Sequence, residues 1–330
     1  MLAIEIQAVG GPDVLRAVER PVPKPGPGEV LIAQQAIGVN FVDLQHRQGA
    51  PYPALPLPFV PGIEAAGIVV KVGPGPSIFR EGDRVAYAGP MPGAYAEYAV
   101  VAEDLVVPVP DGVSFVQAAT VLMQGMTAHY LAHDAHRIQR GEWVLVHAAA
   151  GGVGRFLLAY AKSLGAQVIG TSRSPQRRAA IIAAGADHAM SPGDQNFSAQ
   201  VVALTAGCHV AYESLGGVHF LEALKCLRTR GDLVSYGLAS GPVPAFDVAR
   251  LAGYFDADIN GSLRISRTSL GDFVPTVAAL RKRAATVFAD TAVGLLAPES
   301  ATCLPLTHAQ AAHEAFAAGS DRKLVLVPIM

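Results

Sequence analysis

The first hundred or so residues alternate short apolar runs with turns that are rich in glycine and proline. Apolar runs of this length, separated by such turns, are typical of short strands rather than helices. Their regular spacing predicts a small β-barrel or β-sandwich at the start of the chain. The predicted strands cover residues 30–33, 65–72, 84–88, 95–101 and 105–107.

The pattern changes at Ser114. Ser114 and Gln117 have the spacing of a capping box, and a segment with helical periodicity follows them to about Ala135. Beyond this helix, strand-like and helix-like segments alternate, which predicts βαβ units and a parallel sheet covered on both faces. The alternating segments are residues 143–147, 153–164, 167–171, 176–184, 210–213, 218–227 and 233–236.

The pattern is less regular after Gly261, with a predicted helix at about residues 309–318 and an apolar run at 324–328. We expect this last run to add a strand to the first domain, so that the parallel-sheet domain is an insertion. The predicted fold class is therefore α/β with two domains. Residues 1–120 and 263–330 are predicted to form the β domain, and residues 121–262 the parallel-sheet domain.

Composition limits the possible classes of function. The 330 residues are 51% hydrophobic and 16% charged with a net charge of −2, so no basic surplus favours nucleic acid or an anionic membrane. The three cysteines are too widely spaced for a disulfide framework or a zinc knuckle. The sequence shows neither a secretory signal pattern nor an apolar run of about eighteen residues, so we expect a cytoplasmic protein.

Residues 144–154, VLVHAAAGGVG, carry the most specific chemical signal in the chain. An apolar strand enters a turn of small residues, and a helix leaves it. Ala149, Gly151 and Gly154 take the three positions of the G-x-G-x-x-G spacing, of which the middle one lets the main chain approach a pyrophosphate. Together with Gly152 and Val153, these residues predict a dinucleotide site at the N-terminus of the helix.

The end of the next strand indicates which dinucleotide is bound. A site for NAD usually places Asp or Glu about twenty residues after the motif begins. Residues 170–178, GTSRSPQRR, contain no acid, whereas Arg173, Arg177 or Arg178 can pair with a 2′-phosphate, and Ser172 is a further expected cofactor contact. NADPH is therefore the expected cofactor. We expect Arg178 to lie on a solvated helix face instead.

Several short motifs follow one another along the chain, and their order is more specific than any one of them. They are VNFVD at 39–43, PGIEAAG at 61–67, GDRV at 82–85, GAYAEY at 93–98, AAGGVG at 149–154 and SYG at 235–237. This ordered set resembles the zeta-crystallin-like quinone oxidoreductases of the medium-chain dehydrogenase/reductase superfamily, essentially from end to end. The resemblance implies a GroES-like β-barrel catalytic domain around a Rossmann domain, NADPH, a quinone or conjugated carbonyl substrate, and a homodimer.

The resemblance also bears on metal use. Alcohol dehydrogenases of the same superfamily hold catalytic zinc with a Cys near the position of Asn40 and with a His that precedes a Glu. Here Asn40 offers no thiol and Ile63 stands in the place of that His, so we expect no metal. A quinone or enone delocalises incoming charge through its own conjugation, and its reduction therefore depends less on an added electrophile.

The resemblance implies three catalytic residues. Asn40 is expected either to donate to a carbonyl oxygen that gains charge or to hold its own loop in an Asx turn. Tyr52 is expected to line the substrate cleft, and a packed loop tyrosine is the alternative. Arg267 is expected either to attract an anionic group or to form a surface salt bridge.

The resemblance also implies further cofactor contacts. Gln124 and Thr127 lie on the helix that enters the parallel-sheet domain, at positions that face the cofactor. Tyr236 and Gly237 follow a strand of the parallel sheet, where ligands collect at the carboxyl ends. Gly237 is expected to let the main chain meet the nicotinamide, and Lys323 to approach the cofactor from the end of the chain.

Two other functions remain open from the sequence. One is NADPH-dependent reduction of the double bond in enals, enones or enoyl thioesters, because the same fold and cofactor serve both reactions. The other is a cofactor-binding protein with a structural role. The segment 260–265 is expected to pair edge strands across a two-fold axis in the dimer.

Overall fold

The computed structural model describes residues 1–49, 55–254, 256–298, 301–320 and 322–328. The chain divides into two compact units. The first unit combines Met1–Met123 with Pro275–Met330, and the second is Gln124–Val274. The second unit is thus inserted into the first along the chain.

The first unit is built mainly from antiparallel strands. A two-stranded sheet has the order β1-β2, and a seven-stranded sheet has the order β14-β15-β3-β4-β5-β7, with β6 also paired to β3. The strands are β1 Leu2–Ile6, β2 Leu15–Glu19, β3 Glu29–Gly38, β4 Glu64–Val72, β5 Arg84–Ala88, β6 Tyr98–Ala102, β7 Val106–Pro108, β14 Thr302–Pro305 and β15 Leu324–Val327.

The last strand closes the first unit, as the sequence predicted. Val325 and Leu326 of β15 pair antiparallel with Gly38 and Ile37 of β3. Fully buried side chains from β3 and β15 share one hydrophobic core. The helices of this unit are α1 Phe41–Gln48, α7 Val277–Ala292, α8 Ala309–Ala317 and the first half of α2 Phe115–Tyr130.

The second unit contains a six-stranded parallel sheet in the order β10-β9-β8-β11-β12-β13. Counted from β8, this is the order 3-2-1-4-5-6 of a doubly wound dinucleotide fold. The strand order reverses between β8 and β11, and ligands bind beside such a reversal, at the carboxyl ends of the strands. The strands are β8 Trp143–Val146, β9 Gln167–Thr171, β10 His188–Met190, β11 Cys208–Glu213, β12 Leu227–Ser235 and β13 Arg264–Arg267.

Helices connect the strands of the parallel sheet. The predicted capping box is present, because Ser114 N donates to Gln117 Oε1 and Gln117 N donates to Ser114 Oγ ahead of α2. A π-helical turn at Leu131–Ala135 extends α2. No helix in the described part of the chain is long and apolar enough to span a membrane. The remaining helices are α3 Gly152–Ser163, α4 Pro175–Ala183, α5 Phe197–Thr205 and α6 Gly217–Lys225.

The boundary after the parallel-sheet unit lies later than the predicted residue 262. Strand β13 pairs in parallel with β12, from Asp232 opposite Arg264 to Ser235 opposite Arg267. This pairing keeps residues 263–274 in the second unit. The sequence prediction placed them in the β domain because a four-residue strand without strong apolar alternation gives little signal.

Candidate functional site

The glycine turn, residues 148–154, joins β8 to α3 at the carboxyl end of the sheet. A Cβ on Gly154 would lie 2.3 Å from the main-chain oxygen of Ala148, so only glycine lets the helix pack this close to the turn. Gly151 N donates to Ala148 O at 2.8 Å. The first amides of α3 have no intrahelical acceptors and present positive partial charge, which fits a pyrophosphate. The predicted turn is therefore present.

Ala148 has a backbone conformation that is unusual for a residue with a side chain. Its φ of 50° lies in the left-handed region. Thr171, at the end of β9, holds it there: its hydroxyl accepts from Ala148 N at 3.2 Å, and its main-chain oxygen accepts from Ala149 N at 3.1 Å. The same hydroxyl pairs with His147 Nδ1 at 3.0 Å. Thr171 and His147 are both 0% exposed.

His147 is neutral in this environment. Burial, helped by the nearby His219, lowers the pKa of His147 to about 3. Its Nε2 atom is buried and has no hydrogen-bond partner among the described residues. The imidazole therefore acts as a neutral hydrogen-bonding group for Thr171 rather than as a charge beside the glycine turn.

The residues predicted to contact the adenosine end of the cofactor lie in the loop after β9, residues 172–174, and on the first turn of α4. Arg173 is exposed, and no side-chain hydrogen bond or ion pair engages its guanidinium within the described ranges. Arg177 is half-buried on α4, and its main-chain amide donates to the Ser174 hydroxyl that caps the helix. Ser172 Oγ accepts from Ser174 N at 3.3 Å.

The prediction for Arg178 was wrong. Its Nη1 atom donates to the main-chain oxygens of Ser172 at 2.9 Å and of Arg173 at 3.0 Å. The guanidinium folds back because α4 begins within one turn of these carbonyls, which β9 leaves unpaired when it ends. Arg178 therefore supports the loop instead of extending into solvent.

Two loops interlock at the ends of β11 and β12. Ala239 N donates to Ser214 O at 3.0 Å, and Ser240 N donates to Leu215 O. A Cβ on Gly237 would lie 2.6 Å from Ser214 O, so the close approach of the loops alone requires glycine there. The expected contact of Gly237 with a nicotinamide is a separate matter and stays a prediction.

Glu213, the last residue of β11, sets the first of these loops. Its Oε1 accepts from Leu215 N at 2.6 Å and from Gly216 N at 2.8 Å. Its Oε2 is buried and has no hydrogen-bond partner in the part of the chain that the structure describes. Burial raises the pKa of Glu213, and the two amides oppose that rise.

Arg267 and Tyr236 lie beside the second loop. Arg267 is exposed, and its Nη1 donates to Ser235 Oγ and to Gly237 O, both at 3.2 Å. It makes these hydrogen bonds rather than the surface salt bridge considered from the sequence. Burial raises the pKa of Tyr236, which keeps its hydroxyl protonated.

Gln124 and Thr127 lie on the part of α2 that belongs to the second unit. The Gln124 amide lies against the glycine turn, since a Cβ on Gly152 would approach Gln124 Oε1 within 2.3 Å. Thr127 follows one helical turn later and is half-buried.

The Glu64 cluster, formed by Asn40, Glu64 and Lys323, is buried in the first unit. Lys323 Nζ donates to Asn40 Oδ1 at 2.7 Å and to Glu64 Oε2 at 3.1 Å. Asn40 Nδ2 donates to Glu64 Oε2 at 2.8 Å and to Gly38 O at 3.2 Å. The other carboxylate oxygen of Glu64 accepts from Met123 N at 2.8 Å. The side chains of Lys323 and Glu64 are 4% and 0% exposed.

This cluster changes the interpretation of two predicted site residues. Both amide hydrogens of Asn40 are already donated within the protein, so the geometry favours the loop-holding role over donation to a substrate carbonyl. Lys323 is a buried ion-pair partner of Glu64, and its expected approach to a cofactor stays a prediction. The third predicted catalytic residue, Tyr52, lies outside the described residues.

Asp43 holds the start of α1. Its Oδ2 accepts from Asn40 N at 2.8 Å and from the Tyr95 hydroxyl at 3.3 Å. That hydroxyl also pairs with His313 Nε2 at 3.0 Å. Burial raises the pKa of Asp43 to about 7, although the Asn40 amide and the Lys323 ammonium favour the carboxylate.

Sequence reasoning missed several of these groups. Glu64 and Tyr95 stand inside motifs that carried the resemblance, and His147 and Thr171 stand at strand ends beside the glycine turn. The signal available for them was a polar residue at the end of an otherwise apolar strand. His313 gave no such signal, because its partner Tyr95 is 218 residues away along the chain.

Within the described ranges, no group of three or more His, Cys, Asp and Glu side chains is arranged to hold a metal ion. Of the three cysteines, Cys208 and Cys226 are buried and Cys303 is exposed.

Comparison with known proteins places the chain in a family of oxidoreductases. The family model for the alcohol dehydrogenase GroES-like domain matches residues 26–111, and the model for zinc-binding dehydrogenases matches residues 152–279. The two matches correspond to the β unit and the parallel-sheet unit, and they confirm the predicted fold class.

Individual relatives narrow the class. The chain is 40% identical to a quinone oxidoreductase of Pseudomonas aeruginosa over 318 residues, which is 96% of this chain and 95% of the relative. It is 36% identical to a 2-haloacrylate reductase of a Burkholderia species, with 95% of each chain covered. The crystal structure of Escherichia coli quinone oxidoreductase complexed with NADPH matches with 35% identity and a TM-score of 0.92, covering 99% of this chain and 100% of that one. The chain therefore belongs to the quinone oxidoreductase family of the medium-chain dehydrogenase/reductase superfamily.

Proposed function

We propose that the chain is an NADPH-dependent quinone reductase that works without zinc. The observation that carries the proposal is the end of β9, where exposed Arg173 stands in the place that an NAD site gives to an acid. A carboxylate there would repel a 2′-phosphate, whereas a guanidinium pairs with it through charge-assisted hydrogen bonds. The NADPH complex of the Escherichia coli relative supports the same cofactor.

The glycine turn fits the pyrophosphate of this cofactor. Close packing at Gly154 orients the first amides of α3 towards the carboxyl end of the sheet. We assign the pyrophosphate to Gly151, Gly152 and Val153, with the Gln124 amide beside Gly152 and Thr127 one turn away along α2. Ser172, Arg173 and Arg177 are assigned to the adenosine ribose and its phosphate.

The nicotinamide is assigned to the interlocked loops after β11 and β12. When bound, NADPH supplies a hydride to a conjugated acceptor, which spreads the incoming charge over its own carbonyl groups. Gly237 and Tyr236 form part of the surface of the second loop. The guanidinium of Arg267 has further N–H groups that can bind an anionic group. Asn40 acts as a positioning residue through Glu64 and Lys323.

Steady-state oxidation of NADPH and NADH with an ortho-quinone, a para-quinone and an enone tests the proposal. We expect the highest kcat/KM with NADPH and a quinone, and no loss of turnover after dialysis against a chelator. A higher kcat/KM with NADH, or a requirement for stoichiometric zinc, would overturn it.

A second candidate is the reduction of a carbon–carbon double bond. The observation that favours it is the 36% identity to the Burkholderia 2-haloacrylate reductase, which is close to the identity with the quinone oxidoreductases. A kcat/KM for the enone above that for both quinones would select this candidate. Tight NADPH binding without turnover of any conjugated acceptor would instead favour a structural role.

We also propose a homodimer that forms through the edge of the parallel sheet. Strand β13 is the last strand in the sheet order, and within the described residues only β12 pairs with it. An exposed strand edge with unpaired main-chain groups is suited to pair with a second copy across a two-fold axis. Sedimentation at micromolar concentration should give the dimer mass, and a monomer mass would contradict this proposal.

A further inference from the structure

We propose that Thr171 is a positioning residue for the cofactor, because its hydroxyl locks Ala148 in the left-handed conformation from which the glycine turn is built. This inference deepens the proposed function and rests on its assignment of the dinucleotide to that turn. We assign Thr171 no direct contact with the cofactor. It acts through the main chain of Ala148.

The conformation of Ala148 needs support. A left-handed backbone costs a residue with a Cβ about 1 kcal/mol or more relative to its ordinary conformations. Nothing in the side chain of alanine offsets this cost, unlike in asparagine or aspartate, which can hydrogen-bond locally. The support comes from β9, where the Thr171 hydroxyl accepts from Ala148 N and the Thr171 main-chain oxygen accepts from Ala149 N.

The rest of the turn depends on Ala148. Its main-chain oxygen accepts from Gly151 N at 2.8 Å, and the same oxygen would lie only 2.3 Å from a Cβ on Gly154. A rotation at Ala148 therefore moves the acceptor of Gly151 and the surface against which α3 begins. The α3 amides assigned to the pyrophosphate would then lose their common direction.

His147 fixes the orientation of the Thr171 hydroxyl. The hydroxyl oxygen receives the Ala148 N–H, so its own hydrogen is available to the Nδ1 lone pair of the neutral imidazole. Burial of His147 destabilises the fold, because its Nε2 atom has no hydrogen-bond partner among the described residues. The arrangement is explained if the orientation of this one hydroxyl matters for the turn.

The test uses Thr171→Val, which keeps the shape of the side chain and removes the hydroxyl, and Thr171→Ser, which keeps the hydroxyl. Dissociation constants for NADPH and NADH are measured by fluorescence titration, with the Tm of each variant measured alongside. We expect Thr171→Val to weaken both cofactors by about tenfold, the size of one net hydrogen bond, and Thr171→Ser to restore affinity to within about twofold. A lower Tm with unchanged dissociation constants would overturn the proposal.

A second variant separates positioning from general support of the fold. Glycine adopts a positive φ without strain, so Ala148→Gly in the Thr171→Val background should recover most of the lost affinity. No recovery would show that the hydroxyl does not act through Ala148 and would overturn the inference. Should Thr171→Val not fold, the same double variant and Thr171→Ser carry the comparison with the wild type.

The test does not depend on cofactor preference. A wild type that bound NADH more tightly than NADPH would contradict the proposed function. The effect of Thr171→Val on the dissociation constants of both cofactors would still test the role of Thr171. Arg173→Ala is the matched control, since it should weaken NADPH alone.

Discussion

The Glu64 cluster of the first unit and the strand ends of the second unit both contain charged and polar side chains, but the hydrogen bonds of those side chains differ. In the cluster, Lys323, Asn40 and Glu64 satisfy one another, and every polar atom of the Asn40 amide is engaged. At the strand ends, the exposed Arg173 guanidinium makes no hydrogen bond or ion pair within the described ranges. One carboxylate oxygen of Glu213 has no hydrogen-bond partner there either.

The difference separates groups that build the fold from groups that are ready to bind. A buried ion pair with all its hydrogen bonds made has little capacity left for a ligand, because any new contact must break an existing one. An exposed guanidinium at the end of a strand and helix amides without acceptors can engage an anion at little cost. Because the hydrogen bonds of the Asn40 amide are all made within the first unit, they favour a positioning role for Asn40 over direct contact with a ligand.

Removing Lys323 should have the largest effect on stability. Lys323→Met leaves the Glu64 carboxylate buried with one partner fewer, and we expect a loss of about 3–5 kcal/mol in the free energy of unfolding. Chemical denaturation measures this loss. The double variant Lys323→Met/Glu64→Gln should recover much of it, since the uncompensated charge is gone. A single variant as stable as the wild type would show that the cluster is not the support described.

Gly154→Ala should have the next largest effect. Its Cβ would lie 2.3 Å from Ala148 O, so the turn and α3 must move apart, at a cost of about 1–3 kcal/mol and with a matching loss of NADPH affinity. Isothermal titration measures the affinity. Gly193→Ala is the control in the same unit, because no atom lies within 4 Å of the added Cβ. Equal affinities for the two variants would contradict the close packing.

Arg173→Ala tests the uncommitted guanidinium. We expect about a tenfold weaker binding of NADPH, in line with the loss of one exposed charge-assisted contact, and no change for NADH. Parallel titrations with both cofactors measure the difference. A uniform loss for both would indicate that the variant disturbs the loop rather than the 2′-phosphate contact.

Asp43 should make stability depend on pH in a window below neutrality. Its folded pKa of about 7 lies above the ordinary value of 3.8, so the folded state binds more protons between these values and stability falls as pH rises through that window. The slope from one such group is at most about 1.4 kcal/mol per pH unit. Denaturation at several pH values should show a flatter profile for Asp43→Asn, and an unchanged profile would exclude this carboxyl as the source.

His136 in the second unit should act in a higher window. Burial lowers the pKa of His136, but its hydrogen bonds to Asp232 at 2.6 Å and Glu142 at 3.0 Å outweigh burial and raise it above 6.5. Its stabilising effect is therefore complete below 6.5 and is lost as pH rises through the folded pKa. His136→Gln should remove this part of the dependence and leave the Asp43 window unchanged. This is the smallest effect we expect, because the site is only partly buried.

Much of the fold could be predicted from the sequence. The glycine turn, the strand at 167–171 and the closing strand at 324–327 carry local signals, namely small residues between apolar runs and runs bounded by turns. Helix α7 was missed although Leu280, Ala284, Val287 and Phe288 have helical spacing and are buried.

The candidate site was predicted less completely, because its decisive contacts join distant parts of the chain. Lys323 and Asn40 are separated by 283 residues, and no local pattern relates them. Arg178 folds back onto the loop, whereas Arg173 is exposed. Neither helix propensity nor net charge predicts which of the two guanidinium groups folds back. The glycine turn was predicted because its signal lies within one βαβ unit.

Lys323 follows the inserted unit along the chain, and this order has a consequence for synthesis on the ribosome. Residues 124–274 leave the exit tunnel before β15 does, so the inserted unit can complete its sheet while the surrounding unit still lacks a strand. Until Lys323 emerges, the carboxylate of Glu64 has no cation to meet it. The nascent protein can thus hold a folded parallel-sheet unit while the first unit is still incomplete.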